Sequence, residues 1–253
     1  MRVLALDSTT RSGSVALFVD EGRGVAIVER AGDPSRTHAE RLPADLLALL
    51  ADHHLTACQI DLFAVASGPG LFTGLRVGMA TMQGLALVCR RPLIGVSALE
   101  ALAHLASRDV ADGSLVGAWM NAYRRDVFSA LFLVRDAPVF DPRRLAARDG
   151  PSVGDPGVTL HRWLQREGAP VSIAGDGAEL YRTTITERIP AALVRDPSPL
   201  AAALALIAAE RYRRGERGSA AAVQPLYVRR PDAELAKENA LAHRTAHVDR
   251  SNR

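Results

Sequence analysis

Three clusters in this sequence have the residue types and spacing that chemistry at a phosphate, a metal or an adenosine would use. Asp7-Ser8-Thr9-Thr10 joins two short apolar runs. In a kinase or ATPase, an aspartate in such a turn helps hold metal, and a nearby glycine lets backbone amides approach phosphate. Here Ser8 and Thr9 stand where open amides would be wanted, and the residues equally spell a hairpin turn bonding its own backbone. Ser67-Gly68-Pro69-Gly70-Leu71-Phe72-Thr73-Gly74-Leu75-Arg76 offers the strand, glycine-rich loop and helix of a phosphate cradle. It lacks the Gly-Lys-Ser/Thr ending that reaches a terminal phosphate, and Thr73 stands where a dinucleotide fingerprint has its third glycine. Gly175-Asp176-Gly177 fits contact with an adenosine or a plain β-turn. Asp7, Gly68, Gly70 and Asp176 are therefore degenerate nucleotide-site positions. No metal site emerges: a His-x-x-x-His pair starting at His38 would need an imidazole where Leu42 stands, and His53-His54 lie too far along. No Ser–His–Asp set can be assembled from spacing either, so no residue is assigned a catalytic role.

The elements that position these clusters follow from periodicity. Val3–Leu6, Val15–Val19 and Val25–Val28 predict three antiparallel strands. Thr37 with Glu40 is a capping box, followed by Leu42, Leu46, Leu49 and Leu50 at helical spacing, with Pro43 expected to kink the helix or delay its start. Leu62–Ala66 predicts a strand, Gly68–Gly74 a loop, Leu75–Val88 a helix and Pro92–Val96 a strand. Ser97 with Glu100 is a second capping box, opening a helix to about Ser107. Beyond Arg108–Ser114 come strands at Leu115–Met120 and Val127–Val134, an irregular stretch near Asp141–Gly157, and a helix at Val158–Glu167. A strand at Val171–Ala174 and a long helix at Ser198–Arg214 follow. Two similar α/β lobes of the actin/hexokinase/Hsp70 superfold, with mixed sheets flanked by helices, are the expected architecture. The first lobe spans 1–107 and the second 108–232, with helix 198–214 returning towards the first. Residues 233–253 form a polar tail expected to fray.

The helix after the glycine-rich loop is apolar nearly all round, through Met79, Ala80, Met82, Leu85, Ala86, Leu87 and Val88. Helices flanking an open sheet normally keep a solvated face, so this one is expected to meet a partner. Gly74 and Gly78, four apart, line a face that another helix can approach, which offsets the roughly 1 kcal/mol an interior glycine costs. The expected partner face comprises His38, Leu42 and Leu46 on the first helix, with Phe72, Thr73, Gly74, Leu75, Arg76, Gly78, Met79 and Met82 on the second.

Composition sets the class. The chain has 253 residues, 48% hydrophobic and 23% charged, ordinary for a globular protein. Its +3 net charge rests almost wholly on arginine, Lys237 being the lone lysine, and the bases scatter apart from Arg211–Arg217 and Arg229–Arg230. Direct nucleic-acid binding is therefore not indicated. Cys58 and Cys89 are too few for a disulfide framework and read as small buried or half-buried side chains. No signal peptide is read, and the longest apolar run, Gly74–Val88, is interrupted by Arg76 and Gln83, so a cytosolic protein without a membrane partner is expected.

At Ser67–Arg76 the sequence resembles a known signature, Gly-Pro-Gly-Ser-Phe-Thr-Gly-Leu-Arg-Ile-Gly of the TsaB (YeaZ) family. Met1–Ser14 is similar to that family's opening strand and turn, and Thr37-His38-Ala39-Glu40-Arg41-Leu42 to its first helix. Ile94–Glu100 is similar to its next strand and cap, and Pro225-Leu226-Tyr227-Val228-Arg229 to its closing motif. Leu71 replaces the usual loop serine. Asn121 and Arg125 replace the aspartate and glycine of the signature Asp-Ala-Arg-x-Gly-Glu-Val-Tyr, which here spans Asn121–Phe128. The resemblance implies a non-catalytic subunit of the machinery that makes N6-threonylcarbamoyladenosine (t6A) in tRNA. It implies pairing through first-lobe helices with TsaD, the threonylcarbamoyltransferase, or with a second copy, and association with the ATPase TsaE. The subunit alone is expected to carry no cofactor, with ATP and metal on the partners and tRNA met only through the complex. The rival readings are a metal- or ATP-dependent enzyme using Asp7, the Gly68–Gly74 loop and Asp176, and a tRNA-binding module using Arg211–Arg217 and Arg229–Arg230.

Overall fold

In the computed structural model, which describes residues 1–22 and 24–229, strand alternation sets the layers. In Arg2–Asp7 (β1), Val3 and Ala5 face one core while Leu4 and Leu6 face another, as the two-residue period of a strand requires. Ser14–Asp20 (β2) and Val25–Ala31 (β3) complete an antiparallel meander, with Asp7 opposite Ser14 and Ser14 opposite Ala31. His38–Asp52 (α1) leads to Leu62–Gly68 (β4), which pairs parallel to β1. Phe72–Cys89 (α2) returns the chain to Leu93–Ser97 (β5), parallel to β4. The first sheet runs β3-β2-β1-β4-β5.

Ala98–Ala106 (α3) leads into a second sheet of the same plan. Leu115–Asn121 (β6), Val127–Val134 (β7) and Leu145–Gly154 (β8) form its antiparallel meander. After Pro156–Arg166 (α4), Ser172–Ala174 (β9) pairs parallel to β6. Asp176–Leu180 (α5) and Arg182–Arg188 (α6) precede Leu193–Arg195 (β10), parallel to β9. Read from β8 the order is β8-β7-β6-β9-β10, so the two sheets repeat one topology. This is the two-lobed actin/hexokinase/Hsp70 superfold.

The helices are shared between the repeats. Ala201–Arg213 (α7) packs on β1, β2 and β4 of the first sheet, while α3 packs on β6, β7 and β9 of the second. One alanine-rich core, including Ala5, Ala64, Ala101, Ala118, Ala205 and Ala208, therefore runs from sheet to sheet. Glu100 pairs with Arg211 at 2.6 Å and ties α3 to α7. A second core lies between sheet one and the α1–α2 pair, and a third, around Trp119 and Trp163, beneath α4.

Several expectations are corrected. Glu100 is not a capping residue, because its carboxylate is taken by Arg211. Pro43 sits inside α1 without delaying it: the helix starts at His38, where the Thr37 N–H and hydroxyl both donate to Glu40. α2 begins at Phe72, inside the presumed loop. By length and composition α2 is apolar enough to cross a membrane despite Arg76 and Gln83, yet it packs on β4. Residues 145–154 form a strand rather than an irregular stretch; Pro151, lacking an N–H, is tolerated because β8 is an edge strand. Cys58 and Cys89 are joined by a disulfide that ties the turn Ala57–Gln59 to the end of α2. The tail expected at 233–253 lies outside the described residues.

Candidate functional site

The β1–β2 turn is closed in on itself. Asp7 is 1% exposed, and its Oδ1 accepts hydrogen bonds from the Thr9 N–H at 2.9 Å and the Thr9 hydroxyl at 2.6 Å. Burial pushes the Asp7 carboxyl up to about 6; the Thr9 bonds hold it back, and the negative charges of Glu29 and Asp176 add to the rise. The glycine-rich loop lies directly on this turn. Leu71 N–H donates to the Thr9 carbonyl at 3.0 Å, and a Cβ on Gly70 would come 2.6 Å from Thr9 Cα. The loop's glycines thus serve close packing of protein on protein.

Asp7 and Asp176 line one cleft of about 380 Å³ between the lobes, together with Thr10, Arg11 and Tyr123. Burial raises the Asp176 carboxyl as well, and its Oδ1 accepts the Asn121 N–H at 3.0 Å. Asp176 opens the helix α5, so Gly175–Gly177 is not the β-turn allowed for. Gly68 and Gly70 do not line this cleft, so the four degenerate positions are not brought together. The two carboxylates are what the cleft offers a cation, and each has an oxygen engaged internally. Among the described residues no group of three or more His, Cys, Asp or Glu is placed to hold a metal.

The structure turns the expected partner face inward. Leu42, Leu46, Met79 and Met82 are buried against the first sheet, and Leu75 is buried beside Gly68. A Cβ on Gly74 would overlap the Ser8 carbonyl, and one on Gly78 the Ser8 hydroxyl. These glycines let α2 lie on the chain's own β1–β2 turn, with Gly74 also close against His38 at the start of α1. His38 is also half-buried: its Nε2 donates to the Thr10 carbonyl at 2.9 Å, leaving Nδ1 to accept from Arg41 at 3.1 Å. Burial lowers the His38 pKa; the Thr10 carbonyl opposes this and the Arg41 charge adds to it. Arg41, which the sequence reading passed over, is fully buried, paired with Asp45 at 2.8 Å and bonded to the Ser12 carbonyl. Its only sequence signal is its place one turn after the Thr37–Glu40 cap.

Phe72, Thr73 and Arg76 are exposed. The rest of the outward face lies outside the expected set: Pro43, Ala44, Leu47, Ala48 and Ala51 on α1, with Gly84 and the already noted Ala80, Leu87 and Val88 on α2. A Cβ at Gly84 meets nothing within 4 Å. The arginines considered for tRNA are engaged within the chain. Arg211 pairs with Glu100, Arg213 with Asp20 and Glu210, Arg214 with Asp141 and Arg229 with Asp126. Arg217 bonds the Tyr212 carbonyl at 2.9 Å, and Arg230 lies outside the described residues.

Comparison with known proteins points to one family. Residues 32–130 match the family model for TsaD, tRNA N6-adenosine threonylcarbamoyltransferase. An uncharacterised protein of Mycobacterium tuberculosis is 33% identical over 232 residues, 92% of this chain and 93% of its own length. The tRNA threonylcarbamoyladenosine biosynthesis protein TsaB of Escherichia coli is 39% identical over 108 residues, 43% of this chain and 45% of that protein. The match likewise spans only 41% of a Mycobacterium leprae relative. The solved structure of YeaZ from Pseudomonas aeruginosa superposes with a TM-score of 0.67 at 28% identity, covering 89% of this chain and 99% of that one.

Proposed function

The chain belongs to the TsaB (YeaZ) family, and from that premise we propose that it is a docking subunit of t6A synthesis that binds and activates a TsaD-type transferase. The observation carrying this reading is the outward face of the α1–α2 pair. Leu47, Leu87 and Val88 are 61%, 66% and 81% exposed, and small residues such as Ala44, Ala48, Ala80 and Gly84 lie between them. Small residues let a partner backbone come close, and the exposed aliphatics supply the apolar area that association removes from water. The same face serves a second copy when the transferase is absent. In this reading ATP and metal belong to the partners, TsaE joins the assembled pair, and tRNA is met through the complex. The closed Asp7 turn supports a role without catalysis, since Asp7, Ser8 and Thr9 are buried and the Thr9 N–H is taken by the Asp7 carboxylate.

The test is Gly84→Arg, which places a long cation where a Cβ meets nothing. The variant should fold as the wild type does and lose co-purification with the TsaD of the same organism by at least tenfold. Wild-type pairing by a folded Gly84→Arg protein would remove this face from the interface.

A further inference from the structure

All three exposed aromatic side chains among the described residues, Phe72, Tyr123 and Tyr227, line one cavity of about 520 Å³. Its walls come from distant parts of the chain: the first turn of α2, the β6–β7 turn at Asn121–Arg124, and the closing segment Leu226–Arg229. The rings are held in place. Phe72 and Tyr227 have centroids 5.2 Å apart, the Arg76 guanidinium lies 3.9 Å over Phe72, and Arg76 Nε donates to the Tyr227 hydroxyl at 2.8 Å. The closing segment is anchored at both ends, by Leu226 N–H to the Ser67 carbonyl at 2.7 Å and by Arg229 to the Ala122 carbonyl at 2.8 Å. The lining includes the Asn121 amide and the side chains of Arg124 and Arg229, the latter paired with Asp126.

A preformed hollow with fixed π-faces and the Asn121 amide at its edge suits a planar heteroaromatic ring. We propose that this cavity is a nucleotide site, with the base stacked on these rings. Stacking on aromatic faces accepts every base, so the site selects for a base as such and not for one base. It is separate from the cleft between the lobes, with which it shares only Tyr123. The same chemistry arrives either as a free mononucleotide or as one residue of a single-stranded RNA loop. The inference does not rest on the docking reading, and the isolated full chain tests it.

Calorimetric titrations of that chain would use AMP, UMP and ribose 5-phosphate, then an RNA hairpin with a single-stranded loop beside a blunt RNA duplex. AMP and UMP should bind about tenfold tighter than ribose 5-phosphate if free nucleotide is the ligand; the hairpin should outbind both AMP and the duplex by about tenfold if RNA is. Tyr123→Asn removes one ring and keeps a residue that tolerates the local φ of +56°. Tyr227→Leu removes another. Each should weaken binding of the preferred probe about tenfold without lowering the unfolding temperature, and if Tyr227→Leu unfolds, Tyr123→Asn decides. The proposal falls if AMP, UMP and the hairpin all fail to bind, if ribose 5-phosphate binds as well as AMP while the hairpin binds no better than the duplex, or if the folded Tyr123→Asn protein keeps wild-type affinity. Loss of transferase pairing in Gly84→Arg is read on a different face, so either idea can fail alone.

Discussion

The two repeats end their first strands with the same device and use it differently. Asp7 Oδ1 accepts the Thr9 N–H at 2.9 Å, and Asn121 Oδ1 accepts the Tyr123 N–H at 2.8 Å. In the first repeat the turn is sealed: Asp7, Ser8 and Thr9 are buried beneath the glycine-rich loop and the start of α2. In the second it stands open, and Tyr123, Arg124 and Arg125 all take positive φ, at 56°, 54° and 67°. A polar residue at a strand end closes a local turn in either setting. What packs over the turn decides whether its side chains serve the fold or face a cavity.

The sealed turn gives the largest expected effect. Gly78→Leu drives a side chain into Ser8, whose hydroxyl is already buried without a partner. Overpacking at such a contact should cost about 3 kcal/mol or more, read as a fall in denaturation midpoint. Gly84→Leu on the outward face should cost nothing, since a Cβ there has open space and leucine favours the helix. A Gly78→Leu protein that melted like wild type yet lost its partner would reverse the assignment of the two faces of α2.

The next effect is one of pH. Asp7 has a carboxyl pKa raised to about 6, so the folded state holds its proton more tightly than the unfolded chain does. Stability from this group is therefore present at acid pH, falls as pH rises from about 4 to about 6, and stays lower above that. Asp7→Asn keeps an oxygen for Thr9 and removes the ionisation. It should stabilise the protein by up to about 3 kcal/mol at pH 7, with the gain vanishing near pH 4. Transferase activation should be unchanged. A gain over the wild type no larger at pH 7 than at pH 4 would show that the Asp7 turn is wetter than it stands here.

Much of this was legible before any coordinates. Short apolar runs between turn residues marked the strands of both meanders up to β7, and the ordered motifs pointed to the family. The inward face of α2 was not legible, because Met79 and Met82 on one side and Leu87 and Val88 on the other are equally apolar, and periodicity cannot say which side a sheet occupies. β8 was hidden by Gly150-Pro151, which reads as a breaker unless the strand is known to lie at an edge. α6 and β10 are too short to show a period. The Cys58–Cys89 bridge depends on the turn before β4 lying against the end of α2, which no spacing rule supplies. The cavity around Phe72, Tyr123 and Tyr227 draws on three segments and leaves no local pattern.

The smallest expected effect separates the two turns by sign. Arg125 holds φ at +67°, a conformation that costs a side-chain-bearing residue about 1 kcal/mol and glycine almost nothing. The turn is closed by the Asp126 N–H to the Tyr123 carbonyl at 2.9 Å and the Ala122 N–H to the Asp126 carbonyl at 3.0 Å, neither of which uses the Arg125 side chain. Arg125→Gly should therefore stabilise the chain by about 0.5 kcal/mol after the added entropy of the unfolded glycine is subtracted. Thr9→Gly, at the matching turn of the other repeat, should act in the opposite direction. Thr9 is absent from the residues of positive φ, its hydroxyl donates to Asp7, and its side chain fills space under Gly70. Losing these should cost about 1 kcal/mol or more. Urea titrations of the two variants at one pH suffice, because the comparison requires only that the shifts have opposite signs. If both variants destabilise alike, the open turn is as tightly fitted as the sealed one, and the difference between the repeats lies in exposure alone.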